Sequence, residues 1–284
     1  MQLFESKTIV RRGDNLEESF FGISEKDSAH ILNILRSKLY TNKPLAVIRE
    51  ISCNALDAHV EAGIPDRPIE IYVPFAMDPT LKIRDFGKGL STDEIINVFT
   101  RYGASTKRDT NDAIGCLGLG CKSPFSYGDQ FTITSIYEGN EGRKKEVWTA
   151  FIDETKLGKV ALLFSSYTDE ETGIEIQIPI QTSDITNFIE TIKSFFVYWK
   201  TKPKFTNARI TIPEPECIMD GKGWKLFKNW FDTLIIMGNI PYKVRFENLK
   251  DGSTNPLFGS NGLVIEVPIG TMNITANREE LEYD

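Results

Sequence analysis

The chain predicts an α+β fold, and three observations carry that expectation. Apolar residues recur at helical spacing over residues 45–58, four strand-like runs follow one another between residues 131 and 178 with no helix among them, and a further amphipathic helix spans about residues 183–199. A run of consecutive strands suits an antiparallel meander on one sheet, with the helices packed against it.

Taken in order, residues 1–22 read as an extended N-terminal arm, and Ser24-Glu25-Lys26-Asp27 reads as a capping box opening a helix through Leu39. Thr41-Asn42-Lys43-Pro44 breaks that helix and starts the next, which Gly63-Ile64-Pro65 closes. Residues 69–73 and 81–85 alternate as half-buried strands, and residues 93–99 read as a short helix. The stretch from Gly103 to Gly120 is small, polar and glycine-bearing, the composition of a lid. Strands are expected at residues 131–136, 146–152, 160–164 and 173–178. Beyond the helix at 183–199, Thr201-Lys202-Pro203-Lys204 reads as a boundary, Met237-Gly238-Asn239-Ile240 as a hairpin connection and residues 263–267 as a strand. The expected division is an arm at 1–22, a first domain at 23–181 and a smaller second domain at 182–284. A new helix is expected to begin at Leu281, so the second domain reads as incomplete and the chain as a piece of a longer one.

Composition narrows the function. With 33 basic against 40 acidic residues the net charge is −7, which gives no strong nucleic-acid signal. The four cysteines form no C-x-x-C pair and, with only two histidines, make a poor zinc set; free thiols in a reducing cytosol fit better. No apolar run approaches the length of a membrane span, so the chain reads as cytoplasmic.

The most informative stretch is Arg49-Glu50-Ile51-Ser52-Cys53-Asn54-Ala55-Leu56-Asp57-Ala58, which aligns Glu50, Asn54 and Asp57 in one stripe at i, i+4 and i+7. Two carboxylates and an amide on an otherwise apolar helix are costly to bury without a polar ligand, so the stripe suggests a pocket wall. Two other signals mislead. Asp85-Phe86-Gly87 matches a protein-kinase metal-binding triplet but lacks the catalytic loop and amino-terminal lobe that would go with it. Gly115 to Ser123 nearly spells a phosphate-binding P-loop, yet Cys121 separates the last glycine from Lys122.

Taken together, the helix motif of Glu50 and Asn54, then Asp85, Gly87 and Gly89 after a strand, then Gly115, Gly118 and Gly120 resemble the gyrase, heat-shock chaperone, histidine kinase and MutL (GHKL) superfamily of ATPases. That resemblance implies the Bergerat fold, a two-layer α/β sandwich on a mixed, largely antiparallel sheet, followed by a smaller α/β middle or transducer-like domain. Tyr40-Thr41-Asn42-Lys43, the helix from Arg49 to Ala58 and Gly103-Ala104-Ser105-Thr106-Lys107 resemble the ninety-kilodalton heat-shock chaperones. Over nearly the whole chain, Leu39 to Lys43, Arg84 to Gly87, Gly118-Leu119-Gly120, Lys122 to Tyr127 and Thr172 to Ile176 resemble the rapid-lysis A proteins of T-even-type bacteriophages, which are much longer.

The resemblance implies ATP and Mg²⁺ as ligands. Glu50 would be the general base for the attacking water, Asn54 the metal ligand, Asp57 a support of the pocket wall, and Asp85 the acceptor for the adenine amino group. Gly87 and Gly89 would turn beside the base, and Gly115, Gly118, Leu119 and Gly120 would turn backbone N–H groups towards the phosphates. Ser105, Thr106 and Lys107 would join from the lid, although their composition fits a solvated loop equally well. Thr172 would meet the adenine, but here threonine precedes its glycine, the reverse of the family order. Arg278, in Met272 to Leu281, resembles the arginine that reaches the terminal phosphate from the chaperone's second domain; an exposed arginine beside a capping Asn277 is the alternative. The implied function is an ATP-hydrolysing conformational switch that dimerises on ATP binding and works in an infected bacterial cytoplasm or at its membrane surface, with an unknown phage or host protein partner. The other open reading is a nucleotide-gated protein-interaction module with negligible turnover. Phosphotransfer to histidine is disfavoured because no histidine-bearing dimerisation helix precedes the ATPase motifs.

Overall fold

The computed structural model describes residues 32–100, 120–230, 232–246, 261–275 and 277–283. A short helical segment over residues 32–39, α1, ends in a wider π turn at Leu35–Leu39. The long helix α2 (Lys43–Glu61) starts where the sequence expects, because the Asn42 side chain accepts from Leu45 N at 3.1 Å and Pro44 stands in the first turn. Gly63, at φ +76°, follows its C-terminal end.

Two sheets follow. The larger has the order β5-β4-β3-β6-β2-β1-β7, built from β1 (Glu70–Tyr72), β2 (Thr80–Arg84), β3 (Gln130–Gly139), β4 (Gly142–Ile152), β5 (Gly158–Tyr167), β6 (Gly173–Pro179) and β7 (Lys204–Phe205). Every pairing in it is antiparallel except β1 with β7. The smaller, β11-β10-β12-β9-β8, comprises β8 (Cys217–Gly221), β9 (Trp224–Phe227), β10 (Leu234–Met237), β11 (Ile240–Lys243) and β12 (Gly262–Val267), with β10 and β12 parallel. The fold is therefore α+β, with a large, mostly antiparallel sheet and a smaller second one, as expected. The expected hairpin at Gly238-Asn239 is a two-residue turn with both residues at positive φ, +56° and +68°.

Between α2 and the sheet lies the main core. Val47, Ile48, Ile51 and Ala55 of the helix are buried with Leu81 and Ile83 of β2, Ile176 and Ile178 of β6, and Phe131 and Ile133 of β3. Burying such side chains contributes about 1.5–3 kcal/mol each, which holds α2 against the sheet. The helices α3 (Thr92–Thr100) and α4 (Pro124–Tyr127) follow β2 and the glycine-bearing segment, and α5 (Ile185–Phe195) lies against α2 with Phe188, Ile192 and Phe195 buried. Hydrogen bonding of the larger sheet thus extends to residue 205, beyond position 181 where the sequence divides the chain. Two details differ from expectation. The helix over 183–199 is α only from Ile185 to Phe195, with 3₁₀ turns at each end. No helix begins at Leu281: residues 277–283 are non-helical, and Leu281 instead forms an antiparallel bridge with Ile274.

Candidate nucleotide site

The polar stripe lies on α2. Glu50 and Asp57 are buried, at 2% and 6% exposure, and Asn54 is half-buried. Gly120, at the start of a 3₁₀ turn (Gly120–Lys122), lies directly over the first turn of that stripe. A Cβ there would stand 2.8 Å from Glu50 Oε2 and 3.7 Å from Asn54 Nδ2, so only glycine lets the backbone come this close without displacing the carboxylate. The last expected glycine of the loop therefore meets Glu50 and Asn54. Gly115, Gly118, Leu119, Ser105, Thr106 and Lys107 lie outside the described residues. Lys122, at the end of the same 3₁₀ turn, is buried. Its ammonium donates to Val98 O at 2.9 Å, near the C-terminal end of α3, where the helix dipole favours a cation.

Asp85 stands just after β2, buried at 5% exposure. Its Oδ1 accepts from Gly87 N at 2.8 Å and from Ile174 N at 3.1 Å, while its own N donates to Ile174 O at 2.9 Å. The first contact is an Asx-type turn that needs the short side chain at this place. Gly173, at φ +136°, permits the second: a Cβ there would fall 2.1 Å from Asp85 O, a distance no side chain tolerates. Gly87 packs so closely on Ala58 of α2 that an added Cβ would meet the Ala58 Cβ at 2.9 Å, and Gly89 turns at φ +73°. Thr172 is half-buried and lines a shallow cleft with Phe86, Gly87 and Lys88.

His59 fastens this loop to the helix. Its Nε2 accepts from Phe86 N at 2.8 Å and its Nδ1 lies 3.0 Å from Arg67 O, which fixes the neutral ring with the proton on Nδ1. Burial holds its pKa below the ordinary 6.5. Ala58 and His59 stand about 12 Å of helix rise beyond Glu50, so α2 carries the Asp85 loop at one end of the site and Glu50 with Asn54 at the other.

Arg278 comes to Glu50 from the far end of the chain. It occupies a hairpin-like turn in which Thr275 N donates to Glu280 O and Arg278 N to Thr275 O, with Arg278 at φ +58°. Its Nη1 donates to Glu50 Oε2 at 2.9 Å, and Arg49 Nε donates to Oε1 at 3.0 Å, so each carboxylate oxygen accepts from one guanidinium. Arg49 also donates to the carbonyls of Arg278 at 2.9 Å and Asn277 at 2.8 Å. Burial pushes the Tyr242 phenol, buried in the same core, up to about 12. The alternative of an exposed arginine is excluded, since Arg278 is buried.

The sequence reading missed Arg49, His59, Gly173 and Glu279. For the histidine and the glutamate no local pattern signals the role, because their partners are backbone groups of other segments; Gly173 was visible only as the neighbour of Thr172. The residues present fit an ATP–Mg²⁺ ligand in kind. Asn54 offers an amide oxygen suited to a hard cation, beside a carboxylate and a glycine that leaves the helix face open to close approach. Such a metal would neutralise phosphate charge and orient the triphosphate, and Asn54 is the residue that would hold it.

Comparison with known proteins agrees with this geometry. Residues 42–175 match the family model described as histidine kinase-, DNA gyrase B- and HSP90-like ATPase, a span that takes in α2, Asp85, the glycine-bearing segment and Gly173. The chain is also similar to the chaperone protein HtpG of Salinispora tropica, 24% identical over an alignment of 185 residues that covers 56% of this chain and 28% of that protein. The chain thus spans well under two thirds of the length of this relative. The two findings are similarities to GHKL-type ATPases over the part of the chain that carries α2, Asp85 and Gly173, and they support the GHKL superfamily.

Proposed function

We propose that the chain is a Mg²⁺-dependent switch that binds and hydrolyses ATP. The observation that carries this is the meeting of Gly120 with Glu50 and Asn54 of α2, with Arg278 arriving at Glu50 from the second sheet's end of the chain. In this reading Asp85, oriented by two backbone amides, accepts the adenine amino group. Guanine would present a carbonyl oxygen there and leave a buried carboxylate unpaired. Asn54 holds the metal, and Asp57 supports the wall. Glu50 accepts a proton from the attacking water, and Arg278 bonds the γ-phosphate. Ser105, Thr106, Lys107 and the stretch from Gly115 to Gly120 belong to the phosphate-binding set by resemblance, and Thr172 flanks the base.

The test is phosphate release measured beside nucleotide affinity. Glu50→Ala is expected to bind ATP within a few-fold of the parent and to lose turnover by about 10²-fold or more, the range for removing a general base. Unchanged turnover refutes Glu50 as the base. A second reading, a nucleotide-gated interaction module with negligible turnover, is favoured by the two guanidiniums that already donate to Glu50, one to each oxygen. Phosphate release at the uncatalysed rate, with ATP still bound, selects it.

The resemblance to rapid-lysis A proteins supports action during phage infection, in the bacterial cytoplasm or at its membrane surface. Among the described residues no helix is long and apolar enough to cross a membrane. Dimerisation on ATP binding and a phage or host protein partner are parts of the same proposal.

A further inference from the structure

His59 stands where three segments meet at the adenine end of the site, and it is fully buried. Its Nε2 accepts from Phe86 N at 2.8 Å and its Nδ1 donates to Arg67 O at 3.0 Å, so the ring joins α2 to the segment that follows it and to the turn after β2. The Asp85–Phe86 peptide is thereby held from both sides. Its N–H ends on the ring, and its carbonyl oxygen lies so close to Gly173 that a Cβ there would fall 2.1 Å away. Asp85 N in turn donates to Ile174 O at 2.9 Å. The backbone that aims the Asp85 carboxylate therefore depends on what His59 offers the Phe86 amide.

The outer side of the turn is closed by charged groups. The Arg67 guanidinium lies over the Phe86 ring, 3.6 Å from its centroid, and the Arg84 guanidinium lies at 5.1 Å. Arg67 donates with both terminal nitrogens to the Glu171 carboxylate, at 3.0 and 2.8 Å, and Arg84 donates to the Glu171 carbonyl at 2.8 Å. Glu171 leads through Thr172 and Gly173 to Ile174, which returns the network to Asp85. Within it, His59 is the group whose ordinary charge change falls nearest neutral pH. A neutral ring with its proton on Nδ1 has a lone pair on Nε2 for the Phe86 amide. An imidazolium carries a proton on both nitrogens and sets a donor against a donor 2.8 Å away. Full burial of the ring leaves no solvent to replace the lost acceptor, so the turn must move.

The charged groups around the ring are those of the same three segments. Arg67 opposes a second positive charge beside it. Asp85 turns its Oδ1 to Gly87 N and Ile174 N, and Glu171 is paired with Arg67. Asp57 and Glu61 lie two residues away on α2, about 160° round the helix from His59. We propose that His59 is a positioning residue for base recognition: its neutral ring holds the Asp85–Phe86 peptide so that the Asp85 carboxylate meets the adenine amino group, and protonation of the ring weakens nucleotide binding. This rests on the ATP reading above and makes the proton a regulator of that same site.

The test follows the ring itself. The chain has two histidines, so the His59 resonance is assigned in proton NMR by its loss in His59→Gln. Its titration is recorded on the folded full chain with and without saturating ADP and Mg²⁺. If the neutral ring is the form that holds the base, ADP should lower the measured His59 pKa by about 1 or more, the reciprocal of an affinity about tenfold or more higher for the neutral form. An unmoved or raised pKa overturns the positioning role, as does a ring that stays neutral until the chain unfolds. Calorimetry at about pH 7.5 supplies a second readout. His59→Gln, whose amide oxygen can accept from Phe86 N, should bind ADP about tenfold or more tightly than His59→Leu, which offers no acceptor. Equal affinities in the two folded variants mean that the ring only packs, and they overturn the role as well. If His59→Leu does not fold, the NMR titration decides alone. No ADP binding to the parent refutes the nucleotide reading and this inference with it, whereas binding with an unmoved pKa refutes the role of His59 alone.

Discussion

Replacing Asp85 by asparagine or by alanine separates what this residue does for the fold from what it does for a nucleotide. Its Oδ1 accepts from Gly87 N and Ile174 N, and an asparagine amide oxygen can accept both in the same place. At these two contacts the asparagine variant loses the charge assistance of the hydrogen bonds, about 1 kcal/mol each and so about 2 kcal/mol. Alanine leaves two buried amides without a partner, at about 1–3 kcal/mol each, or about 2–6 kcal/mol in total. Stability should therefore fall in the order parent, Asp85→Asn, Asp85→Ala. Affinity for adenine nucleotides should not follow that order. Asparagine can offer the adenine amino group a second amino group where the carboxylate offered an acceptor, so both variants should lose binding by about 10²-fold or more. Calorimetric titration with ADP, beside thermal unfolding of the same samples, reads both quantities. Near-parent affinity in a folded Asp85→Asn protein refutes the assignment of Asp85 to the base.

Three further outcomes follow from particular contacts. Gly173→Ala places a Cβ 2.1 Å from Asp85 O at φ +136°, so backbone strain and overpacking together should destabilise by about 2–5 kcal/mol, read in denaturant unfolding; a change below 1 kcal/mol contradicts the contact. Glu146 is fully buried on β4. Burial alone would raise its pKa, but hydrogen bonds from Lys144, Thr92 and Trp148 outweigh it and hold the carboxyl below its ordinary range. Glu146→Ala strands those donors and should cost about 3–5 kcal/mol by the same assay, whereas a surface-like loss under 1 kcal/mol would refute the network. His59 is neutral in the fold with its pKa lowered by burial, so as pH falls below about 6.5 the unfolded chain takes up a proton that the folded chain refuses. Its contribution is complete above that pH and declines towards the folded pKa; His59→Gln should flatten the acid limb of the stability curve, and an unchanged limb would count against this origin.

The local patterns that the sequence displays are those with a fixed period or a required backbone. Helix α2 was legible because its cap, its proline and its apolar stripe agree, and Glu50, Asn54 and Asp57 fall on it by spacing alone. The strands β3 to β6 were legible, but only β3, β4 and β5 form the expected meander, since β6 returns to pair with β3; the turn at Gly238-Asn239 was legible from the positive φ its residues favour. The short strands β7, β8 and β9 were not, since two to five residues are too few to establish a period and β8 is exposed throughout. The helix expected at Leu281 failed because pairing with Ile274 outweighs a local charge pattern. Within the site, the sequence places Arg278 near the phosphate end by resemblance. That it bonds Glu50, with Arg49 opposite and Glu279 fixed to the start of α2, depends on contacts between residues more than 220 positions apart. No local pattern encodes such pairs.

A structure of the chain with a non-hydrolysable ATP analogue and Mg²⁺ tests the central claim most directly. The account predicts the adenine amino group on the Asp85 carboxylate, the metal on Asn54, a water on Glu50 and Arg278 moved to the γ-phosphate. A nucleotide bound away from Asp85 and the α2 stripe, or one bound there without contact from Arg278, would contradict it.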